Sequence, residues 1–512
     1  MAKYKACNYD QLVMVPVNLE DQLVPGTLEH TIHYVVEQRM DLSGFDGEYR
    51  NESTGRTAYN PRVLLKVVLL GYARGLLSSR RMERACRENI LFMALTCGQQ
   101  PDHSTLAGFV SGMGLERVQE LFTQVLLVCN EAGLLGGTHF SLDGLKLPGN
   151  ASKEGSGTHA DLGKKAAKLR ELVKTSVKEH TRNDRSGAED AGRQRQRAER
   201  LKEKAERVEA FLAAHKPKLG RRGTEVQSNV TDNDSARMKS AHGVIQGYNA
   251  QAVVDAKAQV VVCAEPFGEA DDAVAAGPML EGTAQALKAI GRGAKALTGQ
   301  TFSADTGYYS VANLESCEKH ALDAYIPDRA FRSRDPRFAE AQRHRRPTDR
   351  HKQQYKSQRR WFGPDDFTFD AATQKLVCPA GTSLYRNGVN FKSQSGHLAT
   401  TYRAPEGACA GCPLRARCLR NPNGSSRTVR LFRGRLPGSL TEAMKAKIDT
   451  PEGRAIYSRR LANVEPVFAN VRHQKRLDRF TLRGRPKVSI QWKLYCMVHN
   501  LEKIGHGGLG LN

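Results

Sequence analysis

Two short segments, THFSLDGLKL at residues 138–147 and TFSADTGYYS at residues 301–310, decide the fold. Polar and apolar residues alternate in the first segment, which predicts a β-strand with Asp143 in its middle. The second segment predicts a strand that ends at Asp305. A charged group is unfavourable inside a strand, so Asp143 is a candidate functional residue. Taken alone, Asp305 also fits an ordinary turn-forming role.

The segments around these strands predict the rest of the core. YNAQAVVDA and AQVVVCAEPF are β-rich, and an Ala-rich helix follows from about Asp272 to Ile290. After TFSAD come a helix in SVANLESCEKH and a strand in DAYIP. The order strand, strand, strand, helix, strand, helix, strand, followed later by another helix, is the RNase H-like order. We therefore expect an α/β protein with an RNase H-like catalytic core.

The chain has 512 residues, which predicts several domains rather than one core. Four sections are expected from the changes in pattern. They are a helical N-terminal domain over 1–136, the first part of the core over 137–327 with a basic helical-hairpin insertion at about 155–225, an Arg- and Cys-rich insertion over 328–450, and C-terminal core helices over 451–512.

The charge balance predicts a polyanionic partner. Lys and Arg number 78 against 54 Asp and Glu, a formal net charge of +24, and such an excess favours phosphate neutralisation and counterion release. Basic RNA-binding proteins share this balance, but no RNP-type aromatic motif or KH loop is found in the sequence. The sequence also has no apolar run of the roughly 18 residues that a membrane span needs and no apolar N-terminal signal, so we expect a cytoplasmic protein without a membrane partner.

Residues from about 25 to 135 carry apolar side chains at intervals of three and four, which predicts a bundle of short helices. One of these helices contains a group of basic residues that fits a helix-turn-helix type of DNA reader. The group is Arg80, Arg81, Arg84 and Arg87. A structural helical cap with a solvated basic face explains the same pattern equally well. The Lys-, Arg- and Glu-rich hairpin at about 155–225 is likewise either a solvated arm or a segment that follows a DNA backbone.

The late helix of the core is predicted to begin at Pro451, a residue favoured in the first helical turn. An apolar stripe at helical spacing follows, with Glu465 at its edge, one turn from Leu461 and from Phe468. The stripe consists of Tyr457, Leu461, Val464, Phe468 and Val471.

Three carboxylates therefore fall on the first strand, the fourth strand and the late helix: Asp143, Asp305 and Glu465. An RNase H-like core gathers carboxylates from these elements around two divalent ions, which assist phosphoryl transfer. Oxygen ligands suit Mg²⁺ or Mn²⁺. The sequence therefore predicts a metal-binding triad for phosphodiester chemistry.

The chain resembles the DDE transposases of bacterial insertion sequences, and within them the IS eleven-eighty-two group, a relative of the IS four type. The resemblance covers nearly the whole chain. Its motifs are SLDGLKL at 141–147, TDNDSARMKSAHGVIQGYNAQAVVD at 231–255, SADTGYYSVANLE at 303–315, AYIPD, CPAG, ACAGCPLRARC, and VEPVFANVRHQKRLDRFTLRGRPKV at 464–488. It implies an enzyme that cuts and joins double-stranded DNA at the inverted-repeat ends of its own element, in a homo-oligomer that pairs the two ends, in the nucleoid.

The resemblance also implies supporting residues around Glu465. The IS four type carries a Tyr, an Arg and a Lys there, and this sequence has Tyr457, Arg460 and, in place of the Lys, Arg472. The interval from Arg460 to Glu465 is one residue longer than in that pattern. These residues either contact the terminal phosphate or are ordinary exposed basic residues of a helix.

Four clustered cysteines lie in the Arg-rich insertion: Cys378, Cys409, Cys412 and Cys418. Four thiolates suit a tetrahedral structural Zn²⁺ that closes a segment with a poor hydrophobic core. The spacing from Cys378 to Cys409 is wide and the last pair is not a CxxC, so unliganded thiols remain the alternative.

Two other functional classes share most of these features. A decayed or domesticated transposase would keep the fold and the charge but bind DNA without activity, and the presence of all three carboxylates argues against it. A structure-selective nuclease with the same core would cut DNA without joining it.

Overall fold

The computed structural model describes residues 16–48, 57–183, 188–220, 223–240, 243–338, 361–393, 398–421, 423–432 and 438–507. The chain divides into two compact units. The first unit comprises Met1–Leu135, Ala469–Leu477 and Ile490–Asn512, and the second comprises Gly136–Phe468 and Asp478–Ser489.

The first unit is helical. Its helices are α1 (Leu28–Tyr34), α2 (Pro61–Ala73), α3 (Ser79–Glu88), α4 (Ile90–Thr96), α5 (His103–Gly112) and α6 (Leu115–Glu131). Pro61 at the start of α2 and the Asn60 side chain, which accepts a hydrogen bond from the Arg62 N–H, fix where that helix begins. Most of α2 is buried, as expected for the central helix of a bundle. No helix in the described ranges is long and apolar enough to cross a membrane.

The C-terminal segment does not form one section as expected for 451–512. Its last helix begins in the second unit and continues through the first. The reason is hydrophobic burial within the first unit: Trp492 and Tyr495 are fully buried there, and the Tyr495 ring stacks on Tyr72 with 4.4 Å between the ring centroids.

The second unit contains a mixed sheet of six strands among the described residues. The strands are β1 (His139–Pro148), β4 (Ala236–Ser240), β5 (Gly243–Asp255), β6 (Val261–Phe267), β7 (Thr301–Ala304) and β8 (Asp323–Tyr325). A separate short pair, β2 (Ser156–Gly157) and β3 (Ser228–Asn229), lies between β1 and β4 in the chain.

Strand β1 is central in this sheet, antiparallel to β5 and parallel to β7. Strand β8 is parallel to β7, and β6 and β4 are both antiparallel to β5. Helix α9 (Ala276–Ala289) joins β6 to β7, and α10 (Val311–Lys319) joins β7 to β8. The predicted elements β1, β5, β6, α9, β7, α10 and β8 therefore occur in the predicted order, whereas β4, which precedes β5 in the chain, was not predicted.

Two long helices, α7 (His159–Asn183) and α8 (Ala188–Ala214), are inserted after β1 and pack against each other. A small apolar cluster joins the start of α7 to the end of α8 and contains Leu162 and Phe211. Arg170 donates two hydrogen bonds to the Glu209 carboxylate, at 2.6 and 2.9 Å. The insertion therefore has a core of its own.

The cysteine-containing segment folds as a second, antiparallel sheet. Its elements are β9 (Thr368–Asp370), β10 (Lys375–Val377), β11 (Ser383–Lys392), β12 (Leu398–Arg403), the short helix α11 (Arg415–Cys418) and β13 (Thr428–Phe432). Its core is small and is built around Leu376, Leu384 and Tyr402.

Four helices follow: α12 (Leu440–Asp449), α13 (Pro451–Ser458), α14 (Arg460–Ala469) and α15 (Arg485–His506). Helix α13 begins at Pro451, as predicted, and the Thr450 side chain caps it by accepting from the Gly453 N–H. The predicted apolar stripe was wrong at Leu461, which is 47% exposed, whereas Val464 and Val471 are buried as predicted. The buried residues of this helix are Arg460, Asn463, Val464 and Val467.

Candidate active site

Strands β1 and β7 bring the two predicted aspartates together. In their parallel register Leu142 of β1 pairs with Ala304 of β7. Asp143 directly follows Leu142, and Asp305 directly follows Ala304. The Asp305 carboxylate accepts a hydrogen bond of 2.8 Å from the Gly307 N–H and so caps the turn Thr306–Tyr308. The capping role and the position next to Asp143 are therefore both present.

The surroundings of Asp305 are unusual for a carboxylate. Burial raises its pKa, the negative charges of Asp143 and Asp272 raise it further, and the Gly307 N–H and Arg460 oppose the rise. Repulsion between neighbouring carboxylates is relieved when a cation binds between them. The pair therefore has the electrostatic character of a cation site.

Arg460 is the positive charge closest to this pair. It is 7% exposed, and one terminal nitrogen, Nη1, lies 2.9 Å from Asp143 Oδ2. Burial lowers the pKa of Arg460, but Asp143, Tyr457 and Asp305 together outweigh this effect and raise the pKa above its usual value. Its buried Nε has no hydrogen-bond partner among the described residues. Arg460 therefore has a donor left over for an anionic group.

Buried polar side chains hold α14 against the sheet beneath the aspartates. Asn463 Nδ2 donates to Ser141 Oγ at 3.0 Å, and Ser141 Oγ lies 2.9 Å from Ser303 Oγ. His139 Nε2 is 3.0 Å from the same Ser303 hydroxyl. These contacts link β1, β7 and α14, and they explain why the helix buries Arg460 and Asn463 instead of Leu461.

Pro466 interrupts α14 at a defined place. It has no N–H, so the carbonyl oxygen of Ala462 loses its helical partner. The side chain of Gln259 replaces that partner, with Nε2 donating to the Ala462 oxygen at 2.9 Å. The interruption is therefore compensated from the β5–β6 turn.

Tyr457 also belongs to this site. Its ring packs edge-on against Phe331, with 5.3 Å between the centroids, and the Arg460 guanidinium carbon lies 5.9 Å from the Tyr457 centroid. Burial raises the pKa of the Tyr457 hydroxyl, Arg460 lowers it, and the charge of Asp305 raises it. Four predicted residues, Asp143, Asp305, Tyr457 and Arg460, are therefore brought together.

The other two predicted residues are placed differently. Glu465 is on the exposed side of α14, and within the described ranges no hydrogen bond or ion pair joins it to another residue. Arg472 lies in the π-helical turn Asn470–Gln474 of the first unit. In the part of the chain that the structure describes, no group of three or more His, Cys, Asp or Glu side chains is close enough to hold a metal ion. The expected convergence of Asp143, Asp305 and Glu465 is therefore not seen.

Sequence reasoning missed two residues of the site, Asp272 and Tyr308. Asp272 accepts a 2.7 Å hydrogen bond from Asn249 Nδ2, and its charge raises the pKa of Asp305. Tyr308 is buried beside the three aspartates, and burial raises its pKa well above the usual value. The sequence signal for Asp272 was an Asp-Asp pair after a strand, which usually marks a helix cap.

The basic group on α3 lies on its exposed side. Met82 and Cys86 of that helix are buried, whereas its four predicted arginines are exposed. Arg84 pairs loosely with Glu88 at 3.9 Å, and Arg87 pairs with Glu83 at 3.3 Å. Arg80 and Arg81 have no ion pair with any acidic residue that the structure describes.

The four predicted cysteines of the second sheet are neighbours in space. Burial raises the pKa of Cys418, Arg427 lowers it, and Cys409, Cys378 and Cys412 raise it, so the four sulfurs are close enough to interact electrostatically. Cys378 Sγ accepts a 3.2 Å hydrogen bond from the Thr382 N–H. The four thiols are free, and they line one pocket together with Arg415. In the described structure the four sulfur atoms are nevertheless not close enough together to form a metal-binding group.

Two family models match the chain. Residues 17–112 match a transposase domain, DUF772, and residues 377–505 match a transposase DDE domain. The second match includes the four clustered cysteines and α14 but begins after Asp305. No curated protein sequence matches the chain.

The two matched domains support a DDE transposase of an insertion sequence. The chain is a DNA-cleaving and DNA-joining enzyme, which confirms the function predicted from its sequence.

Proposed function

We propose that the second unit is an RNase H-like core that cuts and joins DNA at Asp143 and Asp305, and that the element belongs to the IS eleven-eighty-two group. The observation that carries the proposal is the position of these two carboxylates, which follow paired residues of the parallel strands β1 and β7, with the buried Arg460 beside them. The predicted motifs around both aspartates support the group assignment.

The donor set of the site fits Mg²⁺ or Mn²⁺. Carboxylate and amide oxygens are the ligands that these ions prefer. The Asn249 Oδ1 atom is buried against Gly144, the residue after Asp143, and has no hydrogen-bond partner among the described residues. A bound divalent ion would activate the attacking oxygen and stabilise the leaving oxygen of the phosphodiester. Asp143 and Asp305 would hold it.

Glu465 is proposed as a ligand that joins the site after a local change in α14. Its carboxylate is on the exposed side of the helix in the described conformation. Pro466 follows it directly and already breaks one backbone hydrogen bond of the helix. The cost of reorienting this turn is therefore lower than in an uninterrupted helix.

The cationic residues would hold the DNA rather than take part in proton transfer. The free Nε of Arg460 can donate to a phosphate oxygen while Nη1 stays on Asp143. Tyr457 limits the position of the guanidinium by packing beside it. Arg472 is proposed as a further phosphate contact on the basis of the family pattern alone.

Double-stranded DNA, both the element ends and the target, is the proposed partner, and pairing two ends requires a homo-oligomer. The net charge of +24 supports the DNA partner, and a DNA-bound protein would be found with the nucleoid. The test is incubation with Mg²⁺ and duplexes that carry the terminal repeats of the element. Cutting at the repeat boundary and joining to a second duplex are expected, whereas cutting without regard to the repeat would contradict the proposal.

Helix α3 is proposed as a DNA-contacting helix. Replacing both Arg80 and Arg81 with alanine removes two exposed charges that have no ion pair within the described residues. Each lost phosphate contact lowers the slope of log affinity against log salt by about one. We therefore expect weaker binding to the terminal repeat and a slope reduced by about two, measured by fluorescence anisotropy over a salt series.

The matched control for this pair is the replacement of Lys288 and Lys295 with alanine. Both lysines are exposed in the second unit, so the loss of charge is the same. If the slope of log affinity against log salt were equal for the two double variants, α3 would affect DNA binding only through the net charge of the protein. This result would contradict the proposed contact.

We also propose that the four clustered cysteines hold a structural Zn²⁺. Mutual repulsion of thiolates around Cys418 would be removed by a cation, and the Thr382 N–H already donates to one sulfur. The hydrophobic core of this sheet is small, and a bound zinc would add folding stability that hydrophobic burial alone does not supply.

Metal analysis tests this site. The purified chain should contain about one zinc, and Cys412→Ser should lose it and melt at a lower temperature. Cys317→Ser, a buried cysteine of α10, is the control and should retain the metal. Zinc-free protein with an unchanged melting profile would show that the thiols are unliganded.

A further inference from the structure

The strand register of the second sheet places its side chains on two faces. Residues that pair directly in an antiparallel sheet lie on the same face. Tyr402 pairs with Val429, and both are buried in the small core of the sheet. The intervening pairs lie on the opposite face, which we call the outer face. It is formed on β11, β12 and β13 by Tyr385, Phe391, Ala399, Thr401, Arg403 and Arg430.

Flat groups on the outer face are exposed to solvent. The Arg430 guanidinium carbon lies 3.9 Å from the centroid of the Phe391 ring, so the two groups form a cation–π pair, and Arg430 is exposed. Tyr385 pairs with Arg403 across the strands and is 43% exposed. Arg403 is held by a hydrogen bond of 3.0 Å from its Nε to Ser426 Oγ. The outer face therefore presents an aromatic ring and a supported guanidinium group to a ligand.

The charge of these three strands is of one sign. None of β11, β12 and β13 contains an Asp or a Glu residue. Their basic residues are Arg386, Lys392, Arg403 and Arg430. A basic surface without carboxylates favours a polyanion, because each phosphate contact releases counterions. Charge complementarity therefore favours a nucleic acid as the occupant of the outer face.

We propose that the outer face binds a short unpaired segment of DNA, with bases stacked on Tyr385 and on the guanidinium group of Arg430. The inference rests on the proposed function, because it takes DNA as the partner, and it adds a single-stranded segment to the duplex. A cut in one strand of a duplex allows the bases next to the cut to separate. The proposed reaction itself therefore supplies such a segment.

The flat groups favour unpaired bases over a duplex. In a duplex the neighbouring bases cover each base, so a protein contacts phosphates and base edges. An unpaired base exposes its planar surface and stacks on an aromatic ring or a guanidinium group. Arg403 and Ala399, the β12 partners of Tyr385 and Phe391, lie about 13 Å apart at a rise of about 3.3 Å per residue. The outer face is therefore long enough for more than one base.

Binding of a fluorescent oligothymidylate to the full-length protein without divalent ions tests the inference. Anisotropy over a salt series should show at least about fivefold weaker binding for Tyr385→Leu, which is the lower end of what one stacked base contributes. The slope of log affinity against log salt should not change, because no phosphate contact is lost. Tyr385→Phe is the control, since it keeps the ring, and its affinity should stay within about twofold of the wild type.

Arg430→Ala should weaken the same binding and also lower the salt slope by about 0.7, the value for one phosphate contact of a single strand. Arg417→Ala is the matched control. Arg417 is also exposed, and its guanidinium carbon lies 4.8 Å from the centroid of the Phe362 ring, but it is on α11 and not on the sheet. Equal effects of the two variants would show that only net charge matters, and this would overturn the proposed contact.

The outcomes separate this inference from the proposed function. Unchanged oligothymidylate binding by Tyr385→Leu, or an equal loss of binding to a blunt duplex, would overturn the inference. Tighter binding of oligouridylate than of oligothymidylate would overturn the assignment to DNA. Wild-type protein that cuts terminal-repeat duplexes but does not bind the single strand would overturn this inference and leave the proposed function intact. Binding of the single strand through Tyr385 without any cutting would do the reverse.

A second measurement needs no variant and so does not depend on the folding of Tyr385→Leu. An oligonucleotide that contains iododeoxyuridine is crosslinked by light to the wild-type chain, and the crosslinked peptides are identified by mass spectrometry. Crosslinks are expected within β11, at Tyr385. Crosslinks confined to segments outside β11, β12 and β13 would overturn the inference.

Discussion

Asp143→Asn and Asp305→Asn are each expected to bind terminal-repeat DNA like the wild type and to cut it on the order of 1,000-fold more slowly. Asparagine keeps the size of the side chain but removes the charge that would hold a divalent ion. Such an ion contributes several kcal/mol to the stabilisation of the transition state, which corresponds to a change of this size in rate. Cleavage in single-turnover conditions and DNA binding are measured on the same preparations.

Asp143 also forms an ion pair with the buried Arg460, so its replacement affects stability. Asp305 has no such ion pair among the described residues, and Asp305→Asn therefore separates catalysis from folding more cleanly. Asp271→Asn, which keeps the aspartate site intact, is the control for the loss of one negative charge. A variant at 143 or 305 that cuts at the wild-type rate would remove that residue from the active site.

Lys475→Met is expected to destabilise the first unit by about 3 kcal/mol, because removing one partner of a buried ion pair leaves the other unpaired. Lys475 is fully buried, and its Nζ lies 2.5 Å from Glu502 Oε2. Burial lowers the pKa of Lys475, and the negative charge of Glu502 opposes this effect. Unfolding is followed by the fluorescence of the buried Trp492 in a Trp361→Phe background, since the chain has two tryptophans.

Arg39→Met is the control for Lys475→Met. Arg39 pairs with Glu131 in the same unit, but both side chains are substantially exposed, and such pairs contribute up to about 1 kcal/mol. Equal stability losses for the two variants would show that burial of the Lys475 pair is not what matters.

The order of the core elements could be predicted because it depends on local patterns. Strand β1 alternates between polar and apolar residues, and the Pro451 start and the Thr450 cap of α13 are determined by neighbouring residues. The pairing of Asp143 with Asp305 followed from this order, because consecutive parallel strands of one sheet bring their ends together.

Hydrophobicity alone could not predict which face of α14 is buried. The apolar stripe favoured burial of Leu461, whereas the helix buries Arg460 and Asn463. Both polar residues find partners on β1, Asp143 and Ser141, more than 300 positions away in the chain. Tertiary hydrogen bonds of this kind outweigh the local pattern, and the same rotation places Glu465 on the exposed side.

Asp272 was missed for a related reason. In the sequence it is the second residue of an Asp-Asp pair before a helix, and the first residue does act as the cap. Its contacts with Asn249 and Gln251 depend on how the β6–α9 connection folds over β5, which no local pattern shows.

The most direct test of the site is a crystal structure of the protein with Mn²⁺ and cleaved terminal-repeat DNA, with the metal located by anomalous scattering. The proposed mechanism predicts manganese in contact with both Asp143 and Asp305 beside the terminal phosphate. Manganese bound elsewhere in the complex, with these two carboxylates in contact only with protein, would contradict it.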